Sequence, residues 1–151
     1  MSLHPLELSA RVLETGVVSE PVNRVTNEIS ELADGLAFVE SFSRCAIFDT
    51  GEGLMCFDAS GAGSGKDVVK SIRSWRTAPI SNLIYTHGHA DHIGGSFAFA
   101  ADAAERNHPK PHVIGHENVN TRIDRYTQTS DWNIRINQRQ FGGIRSDMGL
   151  N

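Results

Sequence analysis

The chain lacks most of the features that mark a specialised protein class. No apolar run approaches the roughly 20 residues a helix needs to cross a bilayer, so no membrane partner is expected. Basic residues are in the minority, 14 Lys and Arg against 18 Asp and Glu for a net charge of −4. That balance does not attract a phosphate backbone, and nucleic acid is set aside as a partner. Only 2 of 151 residues are cysteine, too few for a disulfide scaffold. Residues 1–10 contain no basic segment followed by an apolar core, so no secretory signal is read there and a cytoplasmic location is expected. In that setting Cys45 and Cys56, which flank an expected hairpin, are read as small buried residues and not as a disulfide. There is no internal repeat, which excludes a solenoid.

What remains is an ordinary globular chain, 39% hydrophobic and 21% charged, long enough at 151 residues to bury one core. Residues 1–30, interrupted by Pro5 and Pro21, read as an irregular lead-in, and 31–151 as the folded domain. Strands are expected over 36–40, 45–48 and 54–57, the last two joined as a hairpin through 49–53. A Gly/Ser-rich loop at 60–65 precedes a helix over 67–76, where Val68, Val69, Ile72 and Trp75 keep helical spacing. Pro79 ends that segment, and a strand over 83–85 follows. An alanine-rich helix over 96–106, a short strand over 112–114 and a helix over 117–126 complete the pattern. Val119, Ile123 and Tyr126 form the apolar stripe of that last helix. Beyond Gln128 the pattern weakens, and Phe141-Gly142-Gly143 reads as loop. Antiparallel strands followed by alternating helix and strand define an α/β (α+β) fold.

The run Thr86-His87-Gly88-His89-Ala90-Asp91-His92 follows the apolar Leu83-Ile84-Tyr85. Imidazole nitrogen and carboxylate oxygen are the donors that zinc and similar divalent metals prefer. A strand leading into them supplies a rigid element to aim them. Gly88 and Ala90 carry almost no side chain, which lets the backbone turn and the donors converge. On an extended backbone His87, His89 and Asp91 share one side and His92 points the other way. A turn through 88–90 is therefore expected.

The pattern resembles the signature of the metallo-β-lactamase superfamily of metal-dependent hydrolases, Thr-His-x-His-x-Asp-His, met at every position from Thr86 to His92, and Ile93-Gly94-Gly95 also fits. The resemblance implies an αββα sandwich, of which this chain covers mainly the N-terminal half and is incomplete at the C-terminus. It implies two divalent metal ions, Zn in the first instance, with His87 and His89 on one and Asp91 and His92 on the other. Asp91 would also act as the catalytic residue, orienting a metal-bound hydroxide and passing on its proton. By the same resemblance Asp58, at the end of the 54–57 strand, would hold a ligating histidine through its second ring nitrogen, set against a plain turn role at the mouth of the glycine loop. His116 is the weakest ligand candidate, since the family often has a non-ligand histidine at that strand end. No histidine follows it, so the remaining ligands have no source downstream.

A looser likeness, around Asp91 and through His116-Glu117-Asn118 to Gln138-Arg139-Gln140-Phe141, points to the alkyl-sulfatase-type branch. There Arg122 and Arg125 would anchor the anionic end of a small-molecule substrate; the plainer reading is a solvated helix face. The substrate class implied is ester-type: a sulfate ester, lactone, thioester or β-lactam. Gly61 to Asp67 imitates a phosphate loop but has Ser60 where Gly is needed and Asp67 where Ser or Thr is needed. The alternative function is a metal-binding but catalytically incomplete domain. A nucleic-acid-processing hydrolase with the same signature is disfavoured by the acidic balance, and an amidohydrolase barrel needs a longer chain. An uncovered half-sandwich face would be an apolar patch, so homo-oligomerisation is expected.

Overall fold

The computed structural model describes residues 3–18, 21 and 23–141, and its backbone is a single six-stranded sheet with helices. The strands run β1 (Ile29–Ala33), β2 (Leu36–Val39), β3 (Cys45–Asp49), β4 (Leu54–Phe57), β5 (Ile80–Ile84) and β6 (His112–Ile114), adjacent in that order. The first four pair antiparallel, and β4–β5 and β5–β6 pair parallel. The parallel pairs need crossovers. These are α2 (Gly65–Trp75) before β5, and α3 (Ala90–Ile93) with α4 (Ser96–Glu105) before β6.

Register assigns the two faces. Ala37, Ile47, Cys56 and Leu83 stand opposite one another across β2 to β5, and each is at most 1% exposed. Val68 and Ile72 of α2 and Phe99 of α4 belong to the same buried cluster. Fully burying each such side chain contributes roughly 1.5–3 kcal/mol. The neighbouring residues form the opposite face, where Phe38, Ala46, Phe57, Ile84 and Ile114 make one cross-strand row. That row and its neighbours are incompletely covered: Phe48 is 41% and Ile114 43% exposed.

Two glycines allow the buried layer to close. A Cβ on Gly65 would lie 2.6 Å from the Gly95 Cα, and one on Gly95 would lie 2.0 Å from the Ala59 carbonyl oxygen. Next to this seam Arg73 on α2 grips the buried Asp102 on α4, its Nε 3.0 Å from both carboxylate oxygens, and Arg106 joins at 2.9 Å.

Several expectations need correction. The lead-in contains α1 (Pro5–Thr15), because Pro5 occupies the first turn, where its missing N–H costs nothing, and Gly16 closes the helix at φ +67°. Leu8 buries there, and α1 lines a cavity of about 420 Å³ with Phe38, Glu40 and Arg44. None of residues 86–92 lines that cavity. Strand β1 was not anticipated; it forms a hairpin with β2 through Asp34-Gly35, with Gly35 at φ +71°. The region after Gln128 is helical as α6 (Ser130–Phe141), so Phe141 is no loop residue. The preceding helix, α5 (Val119–Gln128), has no fully buried residue, and Ile123 is 36% exposed. Gly142, Gly143 and Arg145 lie outside the described residues. Cys45 and Cys56 are buried free thiols as expected. Hydrogen bonding with Cys56, then burial, pushes the Cys45 thiol well above its ordinary pKa, so it stays protonated. Among the described residues no helix is long and apolar enough to cross a membrane.

Burial opposes the charge of Asp102, but hydrogen bonds from Arg73 and Arg106 outweigh it and hold the carboxyl below its ordinary range. A lowered folded pKa stabilises above the unfolded value and is lost as pH falls through the folded one. Asp102→Asn should therefore cost about 3 kcal/mol in urea unfolding at pH 7, with the gap to wild type closing as pH drops below the carboxylate range. A gap independent of pH would contradict the ion-pair account.

Candidate functional site

The site grows from the adjacent carboxyl ends of β4 and β5. Parallel register sets Phe57 beside Ile84, so the next residues, Asp58 and Tyr85-Thr86, leave the sheet side by side. Asp58 donates its N–H to the Ile84 carbonyl at 2.8 Å and adopts φ +62°, a left-handed conformation that turns the chain sharply. Ala59 N–H then donates to the His92 carbonyl at 2.6 Å and Gly95 N–H to the Ser60 carbonyl at 2.9 Å, tying this loop to the motif. The chain bends at Thr86 and His87 and turns again in α3, and not through 88–90 as expected. His89 is the extended residue before α3, and Asp91 and His92 sit on that single helical turn.

Asp58 is 5% exposed and fully engaged. Its Oδ1 accepts from Thr86 N–H at 2.9 Å, and its Oδ2 accepts from Thr86 Oγ1 at 2.7 Å and faces His92 Nδ1 at 2.7 Å. Hydrogen counting from this carboxylate assigns the imidazoles. His92 donates from Nδ1, which in the neutral ring puts the lone pair on Nε2. Thr86 spends its one hydroxyl hydrogen on Asp58, so at 3.0 Å it accepts from His87 Nδ1. His87 Nε2 is then an acceptor, and at 2.9 Å it takes the hydrogen of His89 Nδ1. His89 Nε2 accepts in turn from the Arg122 guanidinium at 2.6 Å. Burial, then Arg122 and His87, lowers the His89 pKa, which agrees with a neutral ring.

The donors meet in pairs. His87 Nε2 and His89 Nδ1 are 2.9 Å apart, and His92 Nε2 and Asp91 Oδ2 are 3.5 Å apart. Two ligands of one tetrahedral zinc at about 2.0–2.1 Å stand roughly 3.3–3.4 Å apart. The His92 Nε2–Asp91 Oδ2 pair, at 3.5 Å, lies within a few tenths of an ångström of that spacing. The His87–His89 pair is closed by a hydrogen bond and must spread by a few tenths of an ångström. Among the described residues no three His, Cys, Asp or Glu side chains stand together as a ready metal cluster.

The remaining predicted residues fall as follows. Asp58 lies at the motif's root. Arg122 lies on His89, while Arg125 is exposed on α5. His116 is exposed and turned to its own loop, its Nδ1 accepting from Asn118 N–H at 3.1 Å. Sequence reasoning missed Ser43, whose one hydroxyl hydrogen is shared between the Asp91 carbonyl (2.5 Å) and Oδ2 (2.9 Å) across 48 positions. No local spacing signals such a contact.

An open sheet with its helical layer on one face, and imidazole and carboxylate donors gathered where two parallel strands end, defines an α/β half-sandwich with a polar site at its rim. The chain belongs to the Metallo-beta-lactamase superfamily, whose family model matches residues 39–138. Similar solved structures include a double mutant of the sec-alkyl sulfatase PisA1, at 21% identity over 77% of this chain and 19% of that one, with a TM-score of 0.62. A metallo-beta-lactamase from Cronobacter sakazakii is similar at 16% identity over 72% of this chain and 37% of that one, TM-score 0.54. A B3 metallo-beta-lactamase with an active-site glutamic acid is similar at 19% identity over 70% of this chain and 42% of that one, TM-score 0.51. At these identities the likeness is one of fold, and the chain spans less than half the length of each. No curated protein matches the chain by sequence.

Asp58→Ala leaves the Thr86 N–H and hydroxyl and the His92 Nδ1–H without their acceptor. A loss of about 2–4 kcal/mol in chemical unfolding is expected, since each hydrogen bond to a charged group contributes roughly 1.5–3 kcal/mol. A variant as stable as wild type would contradict these hydrogen bonds.

Proposed function

We propose that the chain carries the N-terminal ligand set of a metal-dependent hydrolase acting on an ester-type small molecule. His87 and His89 serve one divalent metal, zinc in the first instance, and Asp91 and His92 serve a second. The observation that carries this reading is the pair His92 Nε2 and Asp91 Oδ2, 3.5 Å apart. Asp58 holds His92 by its other nitrogen, the arrangement that usually orients a metal-ligating histidine. With His92 as the neutral Nδ1–H tautomer, its Nε2 lone pair and the Asp91 oxygen face each other at a spacing a divalent cation would bridge. Bound metal supplies an acidified water and polarisation of the electrophilic group.

The chain's own residues do the positioning. Asp58 and Thr86 hold His87 and His92 with their Nε2 lone pairs outward. Ser43 holds the Asp91 carboxylate, leaving its other oxygen to orient a nucleophile or accept its proton. Sulfate ester, lactone, thioester and β-lactam are the substrate classes considered, and the fold likeness to a sec-alkyl sulfatase supports the first.

The second reading is a metal-binding domain that is catalytically incomplete. It is favoured by the absence of a three-ligand cluster among the described residues. Metal content and turnover separate the two readings. Chelator-stripped chain returned to zinc should retain metal after gel filtration, and His92→Ala should lose at least the ion shared with Asp91. Zinc retained without hydrolysis of any of the four ester types would support the incomplete domain. Metal content unaltered by His92→Ala would contradict the ligand assignment.

A further inference from the structure

Helix α5 packs closely against the motif at Gly88. A Cβ on Gly88 would lie 3.1 Å from the Arg122 Cβ and 3.2 Å from the Val119 Cα, so α5 rests directly on the motif backbone. From that seat Arg122 reaches His89 Nε2 at 2.6 Å, and its guanidinium lies 5.6 Å from the Tyr126 ring centre. A guanidinium offers only donors and does not lose its proton, whereas a neutral imidazole has one lone pair. Arg122 therefore occupies the single lone pair of His89, whose other nitrogen gives its hydrogen to His87 Nε2 at 2.9 Å. His87 and His92 are set by Asp58 with Nε2 lone pairs available to a ligand; His89 is not.

We propose that Arg122 is a latch on metal uptake, holding His89 out of the ligand set and α5 against Gly88 until a metal ion displaces it. This rests on the metal-binding reading above. Either nitrogen of His89 can serve a metal only if the Arg122 contact is given up. Ligation through Nε2 needs the lone pair that Arg122 occupies. Ligation through Nδ1 puts the hydrogen on Nε2, against a cation that has no acceptor. A cation at this distance also repels an arriving metal ion.

The test uses the full chain as wild type, Arg122→Met and Arg122→Gln, with far-UV circular dichroism to confirm the fold. Methionine keeps an unbranched apolar stem, and glutamine adds an oxygen able to accept from Nε2–H. Zinc affinity by chelator competition should tighten about tenfold in both variants, the size expected when one competing hydrogen bond is removed. Amide hydrogen exchange over residues 119–128, measured without metal, should be faster in both variants than in wild type, and zinc should accelerate it in wild type. Equal or weaker zinc binding by both variants would overturn the latch and leave the metal site standing. Unchanged exchange in the metal-free variants would also overturn it. If no form binds zinc, the metal reading and the latch fail together, whereas the exchange difference alone would still place Arg122 as the clamp on α5.

Discussion

The Asp58 carboxylate is the constraint on which the site depends. It is a buried anion and must be neutralised or fully hydrogen-bonded to remain so. Thr86 and His92 satisfy it, and the same three contacts decide where the hydrogens of His87 and His92 reside. One carboxylate at a strand end thus sets two imidazoles, one through a direct contact and the other through a hydroxyl. The arrangement requires β4 and β5 to be parallel neighbours in their observed register, because only then does residue 58 meet residue 86.

The helical layer serves this geometry from behind. The Gly65–Gly95 approach brings the start of α2 against the start of α4, and the backbone at 59–60 is stitched to 92 and 95. The short helix α3 cannot rotate without breaking those bonds, so Asp91 and His92 are aimed by backbone as well as by side chains. Among the described residues, α1 lies against the opposite sheet face at Phe38. On that face the apolar row from Phe38 to Ile114 is half-buried, and only its Ile114 end is exposed.

Much of this was legible in the sequence because the signals are local. The alternation in β2 to β4, the helical spacing of Val68, Val69 and Ile72, and the run from Thr86 to His92 all lie within a few residues. The failures have two physical origins. Pro5 breaks the local pattern although a first-turn proline is compatible with a helix, and Asp34-Gly35 is a hairpin turn that alternation does not mark. α6 was missed because its apolar residues are sparse; Trp132 is 62% exposed and no strong stripe marks the helix. The other origin is distance. Ser43 on Asp91, spanning 48 positions, and Arg122 on His89, spanning 33, depend on how separated segments dock, and no periodicity encodes that. Arg122 was anticipated as an anion anchor, whereas its contact here is with an imidazole.

The most direct measurement is long-range nitrogen–proton NMR correlation of the seven histidine rings in metal-free chain, assigned by single substitutions. Ring nitrogen shifts separate the two neutral tautomers and the doubly protonated ring. The account predicts the Nδ1–H form for His87, His89 and His92, with the signals of His87 and His92 changing when Asp58 is replaced by alanine. An Nε2–H form at His92, or a His92 signal indifferent to Asp58, would contradict it.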